Sequence, residues 1–199
     1  MHFAGQSSWR MSESTRYDVL FALYIREACG IVKLDALPPL HPEIPRIAVS
    51  ANAALDTQWG RWWATVIEPE LVAPSGPLVL VPGTTHTVTV PETARELLET
   101  LGRLAEPATE WAKSVKTTMA HREVAQARRG GIEVVNLVNG FANELGRPVH
   151  PFSLDVEIVP ATRPGLWWIG QQTIAVSADL RADPTGYVTA LRPVVAGLA

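Results

Sequence analysis

Phe152-Ser153-Leu154-Asp155-Val156-Glu157-Ile158 alternates apolar and polar residues without a break. Period two puts Phe152, Leu154, Val156 and Ile158 on one face of a pleated ribbon. Ser153, Asp155 and Glu157 fall on the other. The pattern predicts a strand with one buried and one solvated face, as in an antiparallel sheet. Pro160-Ala161-Thr162-Arg163-Pro164-Gly165 then supplies turn residues. A second β-rich run follows, Leu166-Trp167-Trp168-Ile169 and then Thr173-Ile174-Ala175-Val176, with Gly170 marking a bulge or bend. Six loop residues between the two runs predict a long hairpin.

A hairpin with one apolar face needs cover. After it, Asp183 suits an N-cap and Pro184 the first helical position. Tyr187, Leu191, Val194, Val195 and Leu198 recur at helical spacing, with Pro193 predicting a kink or break. Upstream, Thr15-Arg16-Tyr17-Asp18 has capping-box form and opens a helix over 15–32. The apolar stretch Val19–Ile25 is the competing strand reading. Leu55, Trp59, Trp62, Trp63, Val66 and Ile67 mark an amphipathic helix over 51–67. Ala94, Leu97, Leu98, Leu101 and Leu104 mark another. Pro107 opens a separate helix carrying Trp111, Val115 and Met119, ended by Arg128-Arg129-Gly130-Gly131. A further helix spans 132–145. Leu78–Val81 and Thr87–Val90 read as short strands. Leu37–Pro45 holds four prolines and is an extended connector. The expected fold is α+β, a small mostly antiparallel sheet packed against a layer of about five or six helices. Residues 15–199 form one globular domain. Residues 1–14 are an N-terminal arm or extension that Trp9 ties down, with Met11 a plausible start.

Composition narrows the function classes. Hydrophobic residues make up 47% and charged residues 19% of 199, with mean hydropathy +0.09, so the chain is globular rather than disordered. The net charge of −3 disfavours nucleic acid as a partner. One cysteine, Cys29, permits no internal disulfide and suits a cytoplasmic location. No run approaches the roughly 20 apolar residues of a membrane span, so no membrane partner is expected. The N-terminus lacks the basic-then-apolar pattern of a signal peptide. Arginine outnumbers lysine and Ala and Pro are abundant, which suits a high-GC bacterial genome.

No motif names an activity. HExxH, CxxC, G-x-S-x-G, P-loop and G-x-G-x-x-G patterns are all missing, so neither metal nor cofactor is expected. Cys29 reads as a small buried hydrophobe. The leading expectation is a non-enzymatic interaction or assembly module, with a protein partner or self-association as a homo-oligomer. Neighbours on a strand face opposite ways, so one of Trp167 and Trp168 is left outside a single buried face. Trp62 or Trp63 at the edge of its helical stripe is the other candidate contact. The alternative is a small hydrolase or ligand-binding enzyme. Its pocket would form where His86 and His150, both in turn regions, meet the paired carboxylates Asp155 and Glu157. A third possibility is a carrier with an enclosed apolar cavity of roughly 300 Å³ or more between sheet and helices.

Overall fold

The structure, a computed structural model, describes residues 9–32, 34, 36–47, 53–73, 76, 78–80, 87–91, 93–126 and 132–199. Six helices and six strands occur among them. In chain order they are β1 (Arg10–Ser14), α1 (Tyr17–Cys29), α2 (Ala53–Ile67), β2 (Leu78–Leu80), β3 (Thr87–Thr89), α3 (Arg95–Gln126) and α4 (Ile132–Leu145). Then follow β4 (Ser153–Val159), β5 (Leu166–Trp168), β6 (Thr173–Ser177), α5 (Ala178–Ala182) and α6 (Pro184–Leu198). None of the described helices is long and apolar enough to cross a membrane.

The fold is α+β, but the sheet is mixed rather than mostly antiparallel. Its order is β1-β4-β6-β5, and β2 and β3 form a separate antiparallel pair. β1 and β6 both run parallel to β4, and only β5 is antiparallel, to β6. The expected hairpin between β4 and the second run is therefore replaced. That run folds on itself at Gly170, and Ile169 N and Gly170 N both donate to Thr173 O across the turn. Alternation fixes which residues share a face and leaves the partner strand open. β1 comes from the segment read as an arm, whose alternating Met11 and Glu13 carry little apolar signal. Trp9, just before it, stacks on Phe152 at 6.2 Å.

Both faces of β4 are covered. Leu154, Val156 and Ile158 join Ile174 and Val176 beneath α3, α4 and α6, where Val115, Phe141, Tyr187 and Leu191 are buried. On the other face, Ala175 and Val159 meet the cluster built by α1 and α2. The predicted wet face is thus corrected: Glu157 is 1% exposed. A helix is borne out here against the strand alternative, but α1 is shorter than 15–32 and the capping box does not form: its N-cap is Arg16, with no side-chain cap hydrogen bond, and Gly30 ends it. The two helices expected on either side of Pro107 are one, α3. Leu97, Leu101, Leu104, Ala105, Ala108, Ala112, Val115 and Met119 are all buried and recur at three- and four-residue steps straight through the proline. That continuous packing offsets the hydrogen bond Pro107 removes. α6 begins at Pro184 as expected, although the Asp183 side chain makes no cap hydrogen bond. The short α5 was not foreseen; Ser177 caps it by accepting from Leu180 N at 3.2 Å.

β1 is fixed to the helical layer by its outward carboxylate. Glu13 accepts from Tyr187 Oη and from Arg181 Nε, each at 2.7 Å. Burial, reinforced by the Glu13 charge, pushes the Tyr187 phenol up.

Candidate functional site

The parallel register of β1 on β4 sets Ser12 opposite Asp155 and Ser14 opposite Glu157. All four share one face of the sheet. The C-terminus of α2 comes down over that face, and a cleft of about 230 Å³ is left between them. Its lining includes Arg10, Ser12, Ser14, Arg16, Glu68, Glu70, Asp155, Glu157 and Gln172.

Arg16 organises the closed end. Its Nε donates to Glu157 Oε1, and its backbone N–H donates to Glu157 Oε2 at 3.2 Å. Nη1 and Nη2 donate to Val66 O and Ile67 O at 2.9 and 3.1 Å. Those carbonyls end α2 and have no partner within the helix, so a cation there satisfies them and offsets the negative helix end. Ser14 Oγ donates to Glu157 Oε1 at 3.1 Å. Burial pushes the Glu157 carboxyl up, and the Arg16 charge and hydrogen bonds oppose that in part.

Glu68, one residue past α2, ties the helix to the β5–β6 turn. Its Oε1 accepts from Gln172 N and from Thr173 Oγ1. Gly170 is needed beside it, since a Cβ there would lie 2.6 Å from Glu68 Oε1. Asp155 differs from both buried carboxylates. Its side chain is 40% exposed, it accepts from Ser12 Oγ, and Arg10 Nη2 stands 3.8 Å from its Oδ1. Arg10 is 62% exposed. Glu157 and Glu68 are thus committed to internal donors, whereas Asp155 and Arg10 face the opening.

The structure brings Asp155 and Glu157 together in this cleft but does not bring His150 to them. His150 is exposed, and its backbone N–H donates to Ala199 O at 3.0 Å. His86, the Gly83–His86 turn and Arg128-Arg129 lie outside the described residues. Trp62 and Trp63, offered as contact residues, are corrected to core positions at 2% and 5% exposure. Trp62 meets Phe21 edge-on at 6.3 Å, and Trp63 Nε1 donates to Ile169 O at 3.1 Å. Trp167 is half-buried against the α1–α2 cluster, while Trp168 is 48% exposed on the outermost strand. Cys29 is 4% exposed, and burial raises its thiol to about 11, which leaves it unreactive at neutral pH.

Sequence reasoning missed Ser12, Ser14, Arg16 and Glu68. A signal for three of them was present: Arg10, Ser12, Ser14 and Arg16 fall at every second position, the same period as Asp155 and Glu157. Among the described residues, no group of three or more His, Cys, Asp or Glu is arranged to hold a metal ion. No family model, no curated protein and no solved structure matches the chain.

Proposed function

We propose that this chain is a small-ligand-binding domain whose cleft between β1, β4 and the end of α2 holds a compact polar molecule carrying an amine. The observation that carries the reading is the division of labour among the charges. Arg16, Glu157 and Glu68 are tied to internal partners. Asp155 and Arg10 stand exposed at the mouth. Buried carboxylates held by several internal donors support binding rather than turnover. Four carboxylates line the cleft against two guanidiniums, a balance that attracts a cation. At about 230 Å³ the space falls below the roughly 300–1,000 Å³ of larger ligand pockets, which suits a small metabolite. An α-amino acid meets both conditions, its ammonium toward Asp155 and its carboxylate toward Arg10.

Calorimetric titration with glycine, lysine, glutamate, glucose and spermidine tests this. At least one amino acid is expected to bind saturably. Asp155→Asn and Arg10→Ala should each weaken it about tenfold or more, the size of a lost charge-assisted hydrogen bond. Saturable binding by none of the five, or binding that ignores both substitutions, would sink the reading.

A second reading rests on Trp168, a large side chain 48% exposed on β5, the outermost strand of the sheet among the described residues. An unpaired edge with an apolar anchor favours self-association. Sedimentation across a concentration series should then show a dimer that Trp168→Ser converts to monomer. A wild-type monomer at every concentration excludes it. A reducing cytoplasmic setting without a nucleic-acid partner is part of the same proposal, supported by the net charge of −3 and the buried lone cysteine.

A further inference from the structure

Building on the amino-acid reading of the polar cleft, we infer that its ligand carries a short aliphatic side chain, selected by an apolar lip that Leu71 forms just beyond α2.

The two walls of the cleft differ in character. The sheet wall carries Arg10, Ser12 and Asp155 near the opening. The helix wall is a continuous piece of chain from Ile67 to Leu71. Its residues divide by burial. Ile67 is 2% exposed and closes the base. The Glu68 carboxylate is committed to Gln172 N and Thr173 Oγ1 at the β5–β6 turn. Pro69, Glu70 and Leu71 are exposed and make the lip.

The backbone fixes Leu71 in that lip. Glu68 N donates to Ala64 O at 3.1 Å, which carries the helical pattern past Ile67. Leu71 N and Val72 N then both donate to Glu68 O, at 3.0 and 2.8 Å. The lip is thus one further turn on the end of α2, and Glu68 fastens that turn to the sheet. A wall set before binding loses little order when a ligand arrives. Leu71 is nevertheless 50% exposed. On an open surface a single exposed leucine needs no explanation. Here it borders a space of about 230 Å³ whose other wall is charged. Half of its side-chain area stays in water until something covers it, and covering it is favourable.

An amino acid with its ammonium toward Asp155 and its carboxylate toward Arg10 keeps its charged head on the sheet wall. Its side chain then has the helix wall across from it, where Pro69 and Leu71 offer apolar surface. Glu70 beside them is exposed, so water already solvates its carboxylate. The small volume favours a compact branched chain such as that of valine over an aromatic ring.

Calorimetric competition on the whole chain, with glycine, valine, threonine and lysine as probes, tests the assignment. Glycine reads the head alone. Threonine has the outline of valine with a hydroxyl in place of one methyl, so it separates an apolar wall from a polar one. Valine is expected to bind about tenfold tighter than glycine, the worth of partly burying three carbons. It should also bind several-fold tighter than threonine. In Leu71→Ser the ratio of valine to glycine affinity should fall to within about twofold, whereas Leu71→Met, which keeps the apolar surface, should retain it. Both substitutions fall at an exposed position, where the fold tolerates them. Glycine binding with no gain for valine overturns the assignment and leaves the amino-acid reading of the cleft standing. A valine preference that survives Leu71→Ser, or tighter binding of threonine or lysine than of valine, overturns it likewise. Binding of none of the four removes the assignment and the underlying reading together.

Discussion

Trp59→Ala is expected to lower the unfolding free energy by about 4 kcal/mol. Trp59 is 0% exposed, between α1 and α2. Its ring stacks on Trp63 at 5.1 Å with an interplanar angle of 14°, and its Nε1 donates to Ala22 O of α1 at 3.1 Å. Truncation removes the transfer free energy of the indole and leaves a cavity whose walls are regular helices with little room to collapse. The stacked pair adds about 0.5–1.5 kcal/mol beyond area alone. In a chain of this length the loss corresponds to a fall in melting temperature of about 8–16 °C. Denaturant titration of both the Trp59 and Trp168 alanine variants supplies the contrast. Trp168→Ala, at 48% exposure, should fall within about 0.5 kcal/mol of the parent. Equal losses at the two sites would mean that α2 does not dock on α1 through its tryptophan face.

The difference between those two tryptophans was only half legible in the sequence. The spacing of Leu55, Trp59, Trp62 and Trp63 gave the helix and its apolar stripe, and α2 spans Ala53–Ile67 accordingly. A stripe does not reveal how wide its cover is, so it could suggest Trp62 or Trp63 as an edge residue when both are buried, Trp62 against Phe21 of α1 and Trp63 bonded to Ile169 O at the β5–β6 turn. At Trp167-Trp168 the opposite-face argument did lead to one exposed indole, because a strand at a sheet's edge cannot be covered all round. The sheet order was out of reach for another reason. Parallel pairing of β4 with β6 depends on an excursion through β5, and β1 contributes a mostly polar strand. Its partner contacts span 143 residues, as from Ser12 to Asp155. Alternation placed Asp155 and Glu157 on one face correctly. It could not show that the end of α2 would close over Glu157 and leave Asp155 in the open, since that depends on a connection more than fifty residues away from Arg16 to Ile67.

That connection yields the other large effect. Arg16→Met is expected to cost about 3 kcal/mol at about pH 8, the lower part of the range for breaking a buried ion pair, because Arg16 itself is 28% exposed. Glu157 would remain almost fully buried with its cation gone, and α2 would lose the donors to Val66 O and Ile67 O. The cost should depend on pH, and its sign follows from burial. The Glu157 carboxyl is already pushed above the ordinary glutamate value, and Arg16 is what opposes that rise. Without Arg16 it climbs further. Between the unfolded and the folded values, the native state then holds a proton that the unfolded chain has released. Stability therefore falls as pH rises through that window and levels off above it. The deficit relative to the parent should shrink as pH is lowered through the ordinary carboxylate range, below which Glu157 is neutral in both the folded and the unfolded state. Adding Glu157→Gln to Arg16→Met removes the ionisable group, so the double variant should lose this extra pH dependence and regain part of the stability at about pH 8. Urea titrations of the three proteins at several pH values measure both quantities. A deficit that stays constant with pH, or that persists unchanged in the double variant, would mean that Arg16 acts on the end of α2 alone and that Glu157 does not depend on its charge.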